Sequence, residues 1–199
     1  RIWREVGWLE KEKEALTDLY IEAGRALAAE IDGAAECLVI TAPGTVRYLD
    51  EDLPFACVTG VTTSRIARKQ GLAKRLAARA IAEDAADGAL VSGLGMFEQG
   101  FYNRLGFGTG GYEHSVKFDP ATLVLDVEAR VPKRLTAEDW EAAHRARLAR
   151  RRGHGACNLA PAAITRAEMM EEHGFGLGYH DGPSGALSHY LWCYAKEVE

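Results

Sequence analysis

No stretch of this 199-residue chain approaches the roughly 18 consecutive apolar residues of a membrane helix, and no secretory leader pattern is visible in it. Cysteine is sparse. The four, at positions 37, 57, 157 and 193, include no C-x-x-C pair, and Cys37, Cys57 and Cys193 stand in apolar, strand-like runs. That usage points to reduced, buried thiols and to a cytoplasmic protein rather than to a disulfide scaffold. Paired metal ligands are also lacking. His154-Gly155-Ala156-Cys157 offers two, but no second pair stands at ligand spacing, so a zinc site is not expected. Neither Cys57 nor Cys157 has an adjacent histidine signature, which leaves a thiol nucleophile unsupported. A global excess of positive charge is missing as well: the net charge is −5, so any basic patch must be judged locally. Two phosphate-binding templates fail. There is no G-x-x-x-x-G-K-[ST], and the glycines at 93, 95, 100 and 106–111 lack dinucleotide spacing or precede a strand.

What is present reads as alternating helices and strands. Leu16, Leu19, Tyr20, Ala23, Leu27 and Ile31 recur at three- and four-residue steps, predicting an amphipathic helix over 9–31, stopped by Asp32-Gly33. Apolar runs at 37–41 and 45–49, separated by Ala42-Pro43-Gly44, predict a hairpin. The polar tip Asp50-Glu51-Asp52, solvated or facing a cationic acceptor, leads to a third run at 55–61. After a loop at 62–70, an alanine-rich helix runs from about 71 to 87, closed by Gly88. Residues 89–92 read as a short strand, 97–105 as a short helix ended by Gly106, and 114–118 as a strand. This order predicts an α+β domain with a mixed sheet. Residues 120–132 read as a crossover. Thr136 and Asp139 form a near capping box opening a helix to about residue 152. A helix near 162–172 and a hairpin of 177–181 and 187–195, turned by Gly182-Pro183-Ser184-Gly185, complete the chain. The repeated helix-then-hairpin order hints at duplicated domains. The chain opens on Arg1 and stops at Glu199 after a strand-like run, so both ends read as cut.

The strongest local anomaly lies at 65–79. Arg65, Arg68, Lys69, Lys74, Arg75 and Arg79 crowd a helix N-terminus with no acid among them, while Glu83, Asp84 and Asp87 occupy the other end. The helix macrodipole prefers the reverse. A charge order opposed to the dipole marks function more often than accident. A bound anion resolves it, because first-turn N–H groups and flanking cations both favour negative charge there. Gly71 permits close backbone approach, and Ala73 keeps the next helical position small. The bland reading is a solvated basic face.

Val61-Thr62-Thr63, followed by Arg68-x-x-Gly71-x-Ala73 opening a helix, resembles the acetyl-CoA motif of the GNAT acetyltransferases, R/Q-x-x-G-x-G/A after the fourth strand. Phe101-Tyr102-Asn103-Arg104-Leu105-Gly106-Phe107 resembles that family's Y-x-x-x-G-F/Y element. The chain is similar, in particular, to the tandem Eis-like branch, named for enhanced intracellular survival. The resemblance implies a GNAT acetyl-CoA-binding domain at 1–119 and the first half of a second GNAT-like domain at 120–199. It also implies acetyl transfer from acetyl-CoA to a primary amine: a small-molecule amine, polyamine, aminoglycoside or lysine. By the same resemblance, backbone groups of Val61 and Thr63 pair with the pantetheine arm, and Arg68, Lys69, Gln70, Gly71, Leu72 and Ala73 hold the pyrophosphate. Tyr102 protonates the leaving thiolate. A half-buried aromatic capping the sheet is the structural alternative for Tyr102. The Eis-like general base is a terminal carboxylate that this chain does not supply, and Glu98 stands as a substitute, or as a surface carboxylate. The resemblance also allows a homo-oligomer.

Two other readings stay open. One is a non-catalytic CoA-binding module serving assembly or regulation. The other is a nucleic-acid role for Arg145, Arg147, Arg150, Arg151 and Arg152, against a solvated helix end that cations suit.

Overall fold

Helical periodicity gives way at Gly24. In the computed structural model, which describes residues 1–9, 13–96, 100–111, 114–124 and 126–195, the expected helix over 9–31 is divided. Helices α1 (Ile2–Glu5) and α2 (Glu14–Glu22) are followed by a strand, β1 (Arg25–Ile31). Leu27, Ala29 and Ile31 are half-buried, and Ala26, Ala28 and Glu30 exposed, which is the two-residue period of a strand. Three-residue spacing fits the apolar positions before Gly24, and alternation governs those after it.

The expected hairpin at Ala42-Pro43-Gly44 is instead the middle of one strand, β2 (Ala34–Tyr48), paired antiparallel with β1 and with β3 (Glu51–Thr63). The turns lie at Asp32-Gly33 and at Leu49-Asp50, where Asp32, Gly33 and Leu49 have positive φ. Proline is tolerated inside β2 for a local reason. On that edge β1 pairs only up to Thr41, and strand β6 (Cys157–Leu159) takes over at Gly44. Pro43 sits in the gap, where no ladder N–H is needed, and its carbonyl accepts from the Ala160 amide at 2.9 Å.

Helix α3 (Leu72–Ala86) and the parallel strand β4 (Val91–Gly93) complete a mixed sheet in the order β1-β2-β3-β4, with β6 also on β2. The α+β class is as the element order implies. α3 covers one face, burying Ala77 and Ala80 against Val39 and Val58. The opposite face carries α1, α2 and α5 (Ala162–Met169), with Ala23, Ala42 and Ile164 at its centre. Complete burial of an aliphatic side chain such as Val39 contributes about 1.5–3 kcal/mol.

The expected strand at 114–118 does not form. Those residues pair with nothing in the sheet, and Val116 and Phe118 are exposed. Alternation marks a half-buried surface only where a neighbouring edge exists to build it. Of the expected helix at 97–105, residues 97–99 and with them Glu98 lie outside the described residues. A 3-10 helix occupies Tyr102–Leu105, and Gly106 in the left-handed region ends it.

Beyond the crossover, β5 (Lys133–Leu135), β7 (Gly174–Tyr179) and β8 (His189–Tyr194) form a second antiparallel sheet. Helix α4 (Trp140–Ala149) follows a complete capping box, in which the Thr136 amide donates to Asp139 Oδ2 at 2.7 Å. It stops three residues short of the expected Arg152, because Arg150 turns extended and donates to the Cys157 carbonyl at 2.7 Å. Likewise α5 ends at Met169 rather than 172. No described helix is long and apolar enough to cross a membrane.

α4 and α5 are joined through His144, only 8% exposed, whose Nδ1 is hydrogen-bonded to Thr165 Oγ1 at 2.9 Å. Burial, aided by the Arg147 charge and opposed by a backbone hydrogen bond with Ala160, holds the His144 pKa below its ordinary 6.5. Its neutral form is the folded form. As pH falls below 6.5 the unfolded chain therefore binds the proton first, and the stability contributed above that pH is lost. The thermal midpoint is expected to fall between pH 7 and 5.5 more steeply than in His144→Gln. Parallel midpoint–pH curves for the two proteins would remove His144 as the cause.

Candidate functional site

β3 and β4 part company early. Their pairing covers Phe55↔Val91, Ala56↔Ser92 and Cys57↔Gly93, after which the described chain of β4 leaves the ladder while β3 runs on to Thr63. Among the described residues the edge of β3 from Val58 onward is thus an unpaired row of backbone donors and acceptors, open to an extended ligand as an added strand. A β-bulge lies at the start of this open edge. Ile40 faces Gly60 and Thr41 faces Val58, so Thr59 is the extra residue. Its hydroxyl donates to the Ile40 carbonyl at 3.3 Å. Val61 packs on the α3 side with Leu76, and Thr63 Oγ1 lies 3.4 Å from Cys37 Sγ.

The open edge leads straight to the α3 N-terminus. A 3-10 turn at Arg65–Ala67 tucks Ala67 into the core, Arg68 is extended, and Lys69 takes φ 65°. Gln70 Nε2 donates to the Ile66 carbonyl at 3.3 Å, which braces the loop. Gly71 caps the helix at φ 75°, a conformation costly for any residue with a Cβ. A Cβ there would meet no described residue within 4 Å, so the space before the helix is open on that side. The first amide to find an acceptor is that of Arg75, to the Gly71 carbonyl at 3.1 Å. The amides of Leu72, Ala73 and Lys74 have no backbone acceptor among the described residues.

The charges are resolved unequally at the two ends of α3. At the C-terminal end Arg25 of β1 reaches Glu83 and Asp84, each at 3.0 Å, and also binds Asp87. Arg79 pairs with Glu83 at 2.7 Å, and Arg79 and then Arg25 hold that carboxyl below its ordinary range. At the N-terminal end the side chains of Arg65, Arg68, Lys69, Lys74 and Arg75 form no ion pair with any described residue. The acids that oppose the dipole are neutralised from within. The cations that oppose it are not, and they surround three free amides. That arrangement suits a polyanion such as a pyrophosphate.

Tyr102 stands at the start of its 3-10 turn, half-buried, edge-on to Phe101 (5.0 Å between centroids) and Phe107 (6.0 Å). Phe107 and Leu105 pack on the same cluster as Val61 and Leu76. The turn is thereby fixed against β3 and α3.

Other residues singled out by sequence serve the fold. Arg152, nearly buried, donates to Asp52 at 2.6 Å and to Thr45 Oγ1 at 3.0 Å. Arg147 pairs with Glu168 at 2.9 Å, and Arg145 with Glu141 at 3.6 Å. A basic run so largely engaged is a poor nucleic-acid surface, with Arg151 exposed beside it. His154 Nδ1 accepts from the Leu49 amide at 3.1 Å, and Arg47 and Arg152 hold Asp52 in place. Burial pushes the Cys57 thiol up to about 11, which disfavours the thiolate.

Solved structures share this architecture along most of the chain. A conserved protein of unknown function and probable N-acyltransferase from Enterococcus faecalis V583 superposes with a TM-score of 0.64 at 14% identity, over 96% of this chain and 50% of its own. A GCN5-related N-acetyltransferase from Kribbella flavida gives 0.59 at 18%, over 88% and 47%. Eis1 from Mycobacterium abscessus gives 0.57 at 16%, over 85% and 51%. The chain spans about half the length of each of these three structures. No curated protein matches it in sequence. The acetyltransferase (GNAT) domain family model matches residues 4–110. That stretch contains the open β3 edge, the bulge and the N-terminus of α3, and it is more than half of the sequence: the chain belongs to the GNAT acetyltransferase domain family.

Proposed function

We propose that the protein transfers the acetyl group of acetyl-CoA to a primary amine. The observation that carries this reading is the continuity of the unpaired β3 edge with an unneutralised, cation-ringed helix N-terminus. An extended arm and a pyrophosphate joined end to end match that pair of features. Backbone groups of Val61 and Thr63 would receive the pantetheine arm, and the amides of residues 69–73 with Arg68 and Lys69 the pyrophosphate. Gln70 holds the loop, Leu72 and Ala73 start the helix, and the bulge at Thr59 turns backbone donors toward the thioester carbonyl. The amine lone pair then bonds to the carbonyl carbon and the C–S bond breaks. Tyr102 gives its proton to the departing thiolate as general acid, the nitrogen releases its extra proton to solvent, and the Tyr102 phenolate takes one back. The resemblance to the Eis-like branch, with a second GNAT-like domain beginning after residue 119, belongs to this proposal. It is supported by the shared fold along both halves.

Gly71→Val is the direct test. A β-branched side chain at φ 75° distorts the cradle and stands in the open space before the helix. CoA affinity measured by calorimetry is expected to drop at least tenfold, about 1.4 kcal/mol. A folded variant with unchanged affinity would remove residues 68–73 from the site.

A further inference from the structure

The face of the sheet opposite α3 carries a cleft of about 270 Å³ between α1, α2 and the chain that follows α5. Trp3 forms its centre, with Trp8 and Tyr20 each 6.2 Å away between ring centroids and inclined at 56° and 62°. Two carboxylates from far along the chain, Glu171 and Glu172, close the other side. The packing of α2 on α5 brings these groups together. Lys13 pairs with Glu172 at 3.4 Å, whereas Glu171 is exposed and makes no ion pair or hydrogen bond with any described residue. Burial first, then the charges of Glu171 and Glu168, push the Tyr20 hydroxyl up to about 12. Angled aromatic faces beside a free carboxylate bind an organic ammonium by cation–π and ionic attraction together. Trp8 is 52% exposed, so it is not needed to close a core.

The cleft also borders the reaction site. The Trp3 ring covers Gly60, approaching to 3.4 Å the point where a Cβ would stand, and Gly60 directly follows the bulged Thr59. We infer that the Trp3–Trp8–Tyr20 cleft, with Glu171, anchors the distal ammonium of an elongated polyamine acceptor while its near amine reaches the β3 bulge. This rests on the acetyltransferase reading for the second amine only; the anchoring of an ammonium stands without it.

Calorimetric titration with spermidine, without acetyl-CoA, tests the anchor directly. Spermidine is expected to bind at least tenfold more tightly than 1-butylamine. Trp8→Leu and Glu171→Gln, both at exposed positions, are each expected to weaken spermidine about tenfold while CoA binding is unchanged. Equal affinity for the two amines, or wild-type spermidine affinity in both variants, overturns the inference. Spermidine binding that depends on both residues in a protein that fails to bind CoA would keep the anchor and overturn the proposed reaction instead.

Discussion

Tyr102→Phe is expected to lower kcat for amine acetylation about a hundredfold or more, with little change in KM for acetyl-CoA. The substitution removes one oxygen and keeps the ring. Its edge-on contacts with Phe101 and Phe107 are ring contacts, so the 3-10 turn and its packing should survive. A hydroxyl that donates its proton only as the thiolate departs contributes to the transition state and little to the bound substrate. The loss therefore falls on kcat and on kcat/KM alike. If Tyr102 is instead an aromatic cap on the β3–α3 cluster, kcat stays at the wild-type value. Steady-state kinetics with a saturating polyamine distinguishes the two outcomes.

Helix α3 was the most legible part of the molecule, because its signals are local. Gly71 and Gly88 bracket α3 and both adopt positive φ, at 75° and 102°, which places the helix within a residue of its expected limits. The Thr136–Asp139 box and the final glycine-rich turn are equally short-range. Segments decided by distant partners were not legible. Residues 25–31 carry apolar side chains at 27, 29 and 31, so the helical and strand periods both fit, and pairing with β2 decides the outcome. Pro43-Gly44 reads as a turn until two separate partners, β1 and β6, are found sharing one edge of β2.

The same limit applied to the site. Charge order alone made both ends of α3 anomalous. The acidic end is explained by Arg25, nearly sixty residues away in sequence, and only the basic end is left for a ligand. The bulge at Thr59 has no compositional mark, since the register of a ladder is not written in either strand by itself. The aromatic cleft joins residues near 3–20 to Glu171 across more than a hundred residues, beyond the reach of any motif.

Gly24→Ala should be the most destabilising single-methyl change at this sheet. A Cβ at Gly24 would lie 2.0 Å from the Thr41 carbonyl oxygen, 2.9 Å from Ala42 Cα and 3.0 Å from the Thr41 carbonyl carbon. All three are backbone atoms of a central strand, so no side-chain rotation relieves the overlap. Relief requires β1 to withdraw from β2 at the Arg25↔Thr41 pair. That movement would loosen the Ala23–Ala42–Ile164 cluster and pull Arg25 away from Glu83 and Asp84. The expected cost is about 3 kcal/mol or more, the upper end of what overpacking produces. For a chain of this length that corresponds to a fall in Tm of roughly 6–12 °C. Gly33→Ala supplies the contrast. Gly33 needs glycine for its φ of 77°, and a Cβ there meets nothing within 4 Å, so its cost should stay near the 1–2 kcal/mol of left-handed strain. Thermal unfolding of the two variants side by side separates steric exclusion from backbone conformation. Equal losses would show that β1 yields easily, and that the close approach of its first turn to β2 is not what fixes the strand in place of the helix.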